Sequence, residues 1–386
     1  MIATAPQAAH NPTAAEIPTY SPASSEKNPD AGSPSNRKPS ASFSDLETVV
    51  QTISGHVRGV VKRMEDINLQ TRLLALNAQV EAAHAGIHGQ AFGVVAEEMV
   101  KLSAQTTKLT RDLSEGTGEE LGRLKQSVEL LATEVRGTRL SDLALTNIDL
   151  VDRNLYERSC DVRWWATDGA VVDAVTAGTE AECRHASDRL GVILDAYTVY
   201  FDIVLCDLHG RVVANGRPDQ FRSQGSMQDG TEWFRSAMAT HSGSEFGFQS
   251  VHRCPSLAGG QHILVYSCAV REGGQADGRP LGVLGIVFNW EALAQTIVKG
   301  TLFTPEEKIH SRVCLSDRNG FVLADSDDGI LQDKLDIPEL RALFSQNKGH
   351  RLVERNGTRT LLAHAASPGY ETYRTGWHSV IIQKVV

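Results

Sequence analysis

Several features are missing from this 386-residue chain, and each absence narrows its function. No run of 18 or more apolar residues occurs, so no transmembrane helix is expected. The opening stretch, MIATAPQAAHNPTAAEIPTY, has neither a positive start nor an apolar core. No signal peptide is therefore expected, and the chain reads as cytoplasmic. Basic residues are not in excess; the net charge of −9 argues against nucleic acid as a partner. Cys160, Cys183, Cys206, Cys254, Cys268 and Cys314 form no CxxC pair and read as buried thiols in a reducing compartment. No Ser-His-Asp order, P-loop or GxGxxG stands in a credible context, so an enzyme is not expected and no cofactor is implied. What remains is a length sufficient for two or three domains and a hydrophobic content of 41%, ordinary for a soluble globular protein.

Residues 1–42 are rich in Pro, Ser, Ala, Asn and Lys and read as a disordered tail. Beyond them, apolar or small residues recur at alternating steps of four and three: Leu46, Val50, Ile53, Val57, Val60, Met64, Ile67, Thr71, Leu74, Ala78. This coiled-coil seam predicts a helix over 44–85 that packs against other helices. A small-residue stretch, Ala85-Gly86-Ile87-His88-Gly89, interrupts it. The seam resumes as Phe92, Val95, Met99, Leu102, Thr106, Leu109 and Leu113. Two seamed helices around a short Gly-bearing turn predict an antiparallel hairpin. Ser114-Glu115-Gly116-Thr117-Gly118 reads as a bend or break, because two glycines cost a helix about 2 kcal/mol. Helicity then resumes towards Trp165.

The hairpin turn resembles the tip of bacterial methyl-accepting chemotaxis receptors. The matching residues are Gln70-Thr71, the stretch 73–78, Glu81-Ala82-Ala83, Ala85-Gly86, Gly89, Phe92, the stretch 94–98 and Leu102. The resemblance implies a homodimer whose two hairpins form a four-helix bundle, with three dimers meeting at the tip. It also implies docking of the chemotaxis histidine kinase and its coupling protein. The contact residues it points to are Leu73, Asn77, Glu81, His84, Ile87, Gln90, Phe92 and Val94. Three of them depart from the family. His84 replaces an arginine, Ile87 an acidic residue and Gln90 another arginine, while Arg72 adds a charge where asparagine is usual. His and Gln cannot reproduce the bidentate, always-charged contacts of arginine.

From about residue 190 the pattern turns to strands. A β-rich run at 200–206, the turn Asp207-Leu208-His209-Gly210 and an answering run at 211–214 make a hairpin signal. Further strands are expected at 261–270 and 281–290. The hairpin signal recurs about 110 residues on, around Asp317-Arg318-Asn319-Gly320, and strands follow near 350–354, 359–365 and 377–383. This weak internal repeat resembles the double Cache domain, two PAS-like modules fed by one long helix. The resemblance rests also on Trp233-Phe234-Arg235-Ser236-Ala237, Gly282-Val283-Leu284-Gly285-Ile286, Gly369-Tyr370 and Gly376-Trp377. The expected fold class is thus α+β: a long antiparallel helical hairpin, then an α+β double Cache, PAS-like domain. The expected divisions are 1–42, 43–135 and 136–386, with modules at about 196–295 and 305–386.

The Cache resemblance implies a small-molecule ligand in the first module, with Trp233, Phe234, Arg253, Tyr266 and Val287 as pocket candidates. Aromatic walls bury ligand area at low entropy cost; ordinary core packing is the alternative reading. An amino-acid-binding Cache subfamily carries an arginine and an aspartate where this chain has Thr231 and Val287, which argues against a zwitterion. His241, His252, Cys254, His262 and Cys268 are dense, but only His252 and Cys254 approach metal-ligand spacing, and no metal is expected. Trp164-Trp165 read as packing against the sensor. Glu119-Glu120 read as a solvated helix face rather than as methylation sites.

Overall fold

The computed structural model describes residues 43–331, 334–355 and 357–385, so the tail expected over 1–42 lies outside them. Helices α1 (Phe43–His84) and α2 (Gln90–Trp165) form the antiparallel hairpin, joined through Ala85 and a 3₁₀ turn at Gly86–Gly89. The line of α1 that faces α2 runs Val50, Ser54, Val57, Val61, Met64, Asn68, Thr71, Ala75, Ala78 and Ala82, all buried or half-buried. It shares Val50, Val57, Met64, Thr71 and Ala78 with the sequence seam. The other half of that seam is turned away: Leu46, Ile53, Val60, Ile67 and Leu74 are 43–63% exposed. On α2 the facing line includes Ala96, Ser103, Thr110 and Val128. Asn68 and Ser103 fix the register between the helices. Asn68 Nδ2 donates to the Ser103 carbonyl at 2.9 Å, and Ser103 Oγ donates to Asn68 Oδ1 at 2.8 Å.

The bend expected at residues 114–118 is absent. Helix α2 is one element of 76 residues, roughly 110 Å long. Gly116 and Gly118 each disfavour helix by about 1 kcal/mol, but packing against α1 overrides propensity. Val57 and Val61 line the same interhelical groove as Ser114, Gly118 and Leu121.

Helices α3 (Gly169–Ala177) and α4 (Glu180–Ala196) follow. Asp168 caps α3 by accepting from Ala170 N, and Thr179 caps α4 by accepting from Glu182 N. The first sheet comprises β1 (Tyr200–Asp207), β2 (Val212–Asn215), β3 (Gly247–Arg253), β4 (His262–Arg271) and β5 (Pro280–Asn289), with α5 (Glu232–Met238) and α6 (Pro255–Ala258) between strands. After α7 (Trp290–Lys299) and α8 (Pro305–Ile309) comes the second sheet. It comprises β6 (Ser311–Ser316), β7 (Val322–Asp325), β8 (Lys348–Arg355), β9 (Thr358–Ala366) and β10 (His378–Lys384), with α9 (Pro338–Phe344) before β8. The sequence reading lacked β3; its other strands agree with these to within a few residues.

Both sheets are antiparallel and share one order: β2-β1-β5-β4-β3 and β7-β6-β10-β9-β8. The repeated turn motif is the same device twice. Asp207 Oδ1 accepts from the main-chain N–H of His209 and Arg211, and Asp317 Oδ1 from those of Asn319 and Phe321. Gly210 and Gly320 follow at φ +81° and +84°, which a Cβ would penalise. The whole is α+β, as expected.

The second half of α2 is the spine of both modules. Leu140, Ala144, Ile148, Val151, Leu155 and Val162 form a fully buried stripe at helical spacing. They share one core with the inner faces of both sheets. Each sheet buries its outer face in a smaller core of its own. The modules sit along α2 in inverse order to the sequence. The second grips the part nearer the hairpin, where Ser141 Oγ donates to the Gly349 carbonyl at 2.9 Å and Asp152 accepts from Ser367, Gly369 and Thr375. The first grips the end, where Tyr200 Oη donates to Asp161 at 2.6 Å. Of the two tryptophans there, Trp165 is buried as expected, whereas Trp164 is 72% exposed: one residue turns it about 100° around the helix.

Candidate functional site

The hairpin tip is built by two glycines and a carbonyl. Ala85 N donates to the Glu81 carbonyl at 3.0 Å, ending α1, and Gly86 reverses the chain at φ +56°. Gly89 is buried against the backbone of α1. A Cβ there would lie 2.2 Å from the Ala82 carbonyl oxygen, so only glycine lets the helices approach so closely. This is the physical content of the Ala85-Gly86 and Gly89 pattern. All eight expected tip residues, Leu73, Asn77, Glu81, His84, Ile87, Gln90, Phe92 and Val94, are exposed. Ile87 and Phe92 are 83% and 74% exposed, far more than large apolar side chains usually are. The tip therefore presents a mixed surface, apolar at Leu73, Ile87, Phe92 and Val94 and polar at the rest.

The expected pocket residues of the first module do not form one wall. Trp233, Phe234 and Val287 share the core on the outer face of the first sheet. Trp233 is fully buried, and its ring lies on Gly285, where a Cβ would be 2.9 Å away. Its indole Nε1 is buried without a hydrogen-bond partner, while its carbonyl accepts from Ser267 Oγ at 2.7 Å. Tyr266 lies on the opposite, inner face, where its hydroxyl meets that of Tyr373 from the second module. Strand alternation separates it from Trp233, so Tyr266 is a contact between modules rather than part of a shared wall. Burial holds its phenol well above the usual tyrosine range. Arg253 closes β3 at the surface, and its Nε donates to His262 Nε2 at 3.1 Å.

The histidines and cysteines weighed as ligands are dispersed. His252 lies near the end of β3, Cys254 precedes α6, His262 opens β4 facing Glu291, His241 is exposed in a loop, and Cys268 faces the inner core. Cys254 has its thiol lowered despite burial, which raises it, because His252 and Ser256 hydrogen-bond to it. Sequence reasoning missed two residues that the spine uses: Asp152, fully buried, and Gly137, on whose Cα face the His350 ring lies. A lone Asp and a lone Gly in a helix carry no signal until the partner surface is known.

Comparison with known proteins bears mainly on the hairpin. The family model of the methyl-accepting chemotaxis protein signalling domain matches residues 25–142, of which 25–42 lie outside the described residues. Methyl-accepting chemotaxis protein McpC of Bacillus subtilis is 45% identical over 71 residues, 18% of this chain and 10% of that protein. Methyl-accepting chemotaxis protein CtpL of Pseudomonas aeruginosa is 39% identical over 82 residues, 21% of this chain and 12% of that one. Biofilm dispersion protein BdlA of the same organism is 42% identical over 65 residues, 17% and 16% respectively. The matched segments thus span 10–16% of the length of these relatives. Among solved structures, the ligand-binding domain of Campylobacter jejuni chemoreceptor Tlp3 with L-valine aligns over 65% of this chain and 94% of its own, at 18% identity and TM-score 0.49. The sensor domain of the Vibrio cholerae histidine kinase DctB aligns over 65% and 99%, at 15% identity and TM-score 0.48. No helix among the described residues is long and apolar enough to cross a membrane. Under a third of the chain, residues 25–142 with the hairpin they contain, is thus similar to the signalling domain of methyl-accepting chemotaxis proteins.

Proposed function

We propose that this chain is a chemoreceptor-like signal transducer acting in the cytoplasm. In this reading the C-terminal Cache-like modules sense a small molecule, and the hairpin tip signals to the chemotaxis histidine kinase and its coupling protein. The carrying observation is the tip: the eight residues that the family resemblance assigns to contact are all exposed around the Gly86–Gly89 turn. Ligand in the outer face of the first module, near Trp233, Phe234 and Val287, would favour one placement of α2 over another. Because α2 runs unbroken to the tip, the two placements present different tip geometries, a shift between populations. Differential ligand affinity for the two states drives it. Thr231 caps α5 and Val287 is buried and apolar, so an amino acid would find no counter-charges at those positions.

Leu46, Ile53, Val60, Ile67 and Leu74 make a stripe that a monomer leaves in water, which supports a homodimer through the hairpin, with dimers able to group in threes at the tip. Sedimentation equilibrium should give a dimer; a monomer throughout the micromolar range would exclude it.

A second reading is favoured by His84, Ile87 and Gln90: a dimeric ligand-binding or scaffold protein whose diverged hairpin no longer couples to the kinase. One experiment separates the two. The full chain is co-sedimented with kinase and coupling protein beside the variant carrying His84→Arg, Ile87→Glu and Gln90→Arg. Recruitment by the parent, strengthened in the variant, supports the transducer. Recruitment by neither sinks it.

A further inference from the structure

We propose that a cleft where α2 ends against the first module binds a small oxyanion, a phosphate, sulfate or short carboxylate, between the guanidinium groups of Arg163 and Arg271. The site is separate from the outer face around Trp233 and does not depend on kinase docking.

The cleft has a volume of about 80 Å³ and is lined by Arg163 and Thr167 from the end of α2, Cys268 and Arg271 from β4, and the loops at Gly243 and Gly274. By volume this is room for about two or three waters, enough for a small oxyanion or a short carboxylate and too little for a nucleotide. Two cations line it and no acidic residue does. Among the described residues, every hydrogen bond of the two guanidinium groups goes to a neutral acceptor. Arg163 Nε, Nη1 and Nη2 donate to the Ser159 carbonyl, the Ser244 carbonyl and Cys160 Sγ. Arg271 Nη1 donates to the Gly278 carbonyl at 2.9 Å, and Nη2 to the Thr240 carbonyl at 2.7 Å and its hydroxyl.

Arg271 is 5% exposed, and its Nε is buried without any partner. A buried cation with no counter-charge is costly unless one is supplied. Here nothing in the cleft supplies it. The adjacent Glu272 points to Arg279 at 3.7 Å, and the Glu245 carboxylate accepts from His241 N at 2.9 Å. The two positive charges do reach the cleft floor. Burial pushes the Cys268 thiol up to about 11, and Arg271 and then Arg163 pull against it. The opposing term is the negative end of α2, worth about half a charge against two full ones. It is further blunted because the Val162 and Trp164 carbonyls already accept from Ala166 N and Thr167 N. Each Nη of Arg163, and Nη1 of Arg271, keeps a second N–H beyond the bonds named above, and such an N–H makes a strong charge-assisted bond to an oxyanion. An anion held there ties the last turn of α2 to β4 and to the loop at Gly274, whose added Cβ would lie 3.2 Å from the Thr167 carbonyl.

The test is a thermal-shift titration of the full chain with inorganic phosphate, sulfate and acetate at constant ionic strength set by chloride. The expected result is saturable stabilisation by at least one of the three at millimolar concentration, with affinity reduced about tenfold or more in Arg163→Gln. Because that variant also loses bonds to Ser159 and Ser244, Ala276→Asp at the cleft rim provides a second reading. Its built-in carboxylate should raise the melting temperature without anion and abolish the response to anion. Stabilisation that does not saturate, or that is equal in the parent and both variants, would overturn the site, as would no response to any of the three anions.

Discussion

Among the described residues, His364 and His378 are buried imidazoles that make the fold sensitive to acid. They sit on adjacent strands of the second sheet under α9, with His378 stacked on Phe344 at 4.0 Å and the two imidazoles 5.6 Å apart. Both His364 nitrogens and His378 Nδ1 are buried without partners. Burial therefore holds each imidazole down at about 4, from 6.5. Between those values the unfolded chain binds protons that the folded chain refuses. Stability that is full above pH 6.5 is lost as pH falls towards 4, by about 1–2 kcal/mol per ring after allowing for solvent screening. Asp202 works the other way. Burial raises its carboxyl to about 6 from 3.8, so its contribution is full below 3.8 and is lost as pH rises towards 6. The net slope mixes the two, and the variant isolates one of them. Urea unfolding of His364→Leu should show a smaller loss between pH 7 and pH 4.5 than the parent; equal losses would clear the imidazole of responsibility. At this scale the sequence was legible where a long pattern fixed each position, as at the turn glycines Gly86 and Gly89. It was not legible at Tyr266. Strand β4 is buried on both faces, so no polar alternation tells which face a tyrosine takes.

The elements were legible in kind and less so in facing. The four-three spacing of α1 revealed a coiled coil, but a helix in a bundle has two neighbours and one list of apolar residues. The contact line towards α2 took small and polar residues one position along, Ser54, Asn68 and Ala75, and left Ile53, Ile67 and Leu74 outside. The unbroken run of α2 through Gly116 and Gly118 was missed for a related reason: local propensity cannot weigh a partner helix. Glycines in α2 differ sharply as a result. Around Gly116 an added Cβ meets nothing within 4 Å, whereas at Gly137 it would lie 2.1 Å from the His350 ring. Gly116→Ala should therefore stabilise the chain by about 1 kcal/mol. Gly137→Ala should destabilise it by about 1–3 kcal/mol through overpacking. The readouts are the thermal midpoint for both and, for the second, faster amide exchange in β8. Matching shifts in the two variants would mean that His350 yields freely and does not hold the second module to the helix.

In the whole molecule, two similar modules hang from one helix, with the later module nearer the hairpin. That inversion follows from packing: the chain reaches the end of α2 before it can fold back, so the second module has only the upstream stretch of helix left to cover. Between Val128, which shares a cleft with Val50, and Gly137, which takes the His350 ring, α2 crosses from one partner to the other without a break. The link between the sheet modules and the tip is therefore an angular one. Each residue in that span sets the rotational phase of the modules relative to the hairpin, at about 100° per position. Two residues inserted between Leu131 and Gly137 would turn the modules by roughly 200° and face them away from their original side. Seven would return them to within about 20° of where they began, only some 10 Å further out. Under the proposed transducer function, if the tip reads the modules through orientation, kinase recruitment plotted against insertion length should oscillate with the helical period; a smooth decline with length would point to distance instead. The unbroken helix makes the chain an indexed shaft, in which length is cheap to change and phase is not.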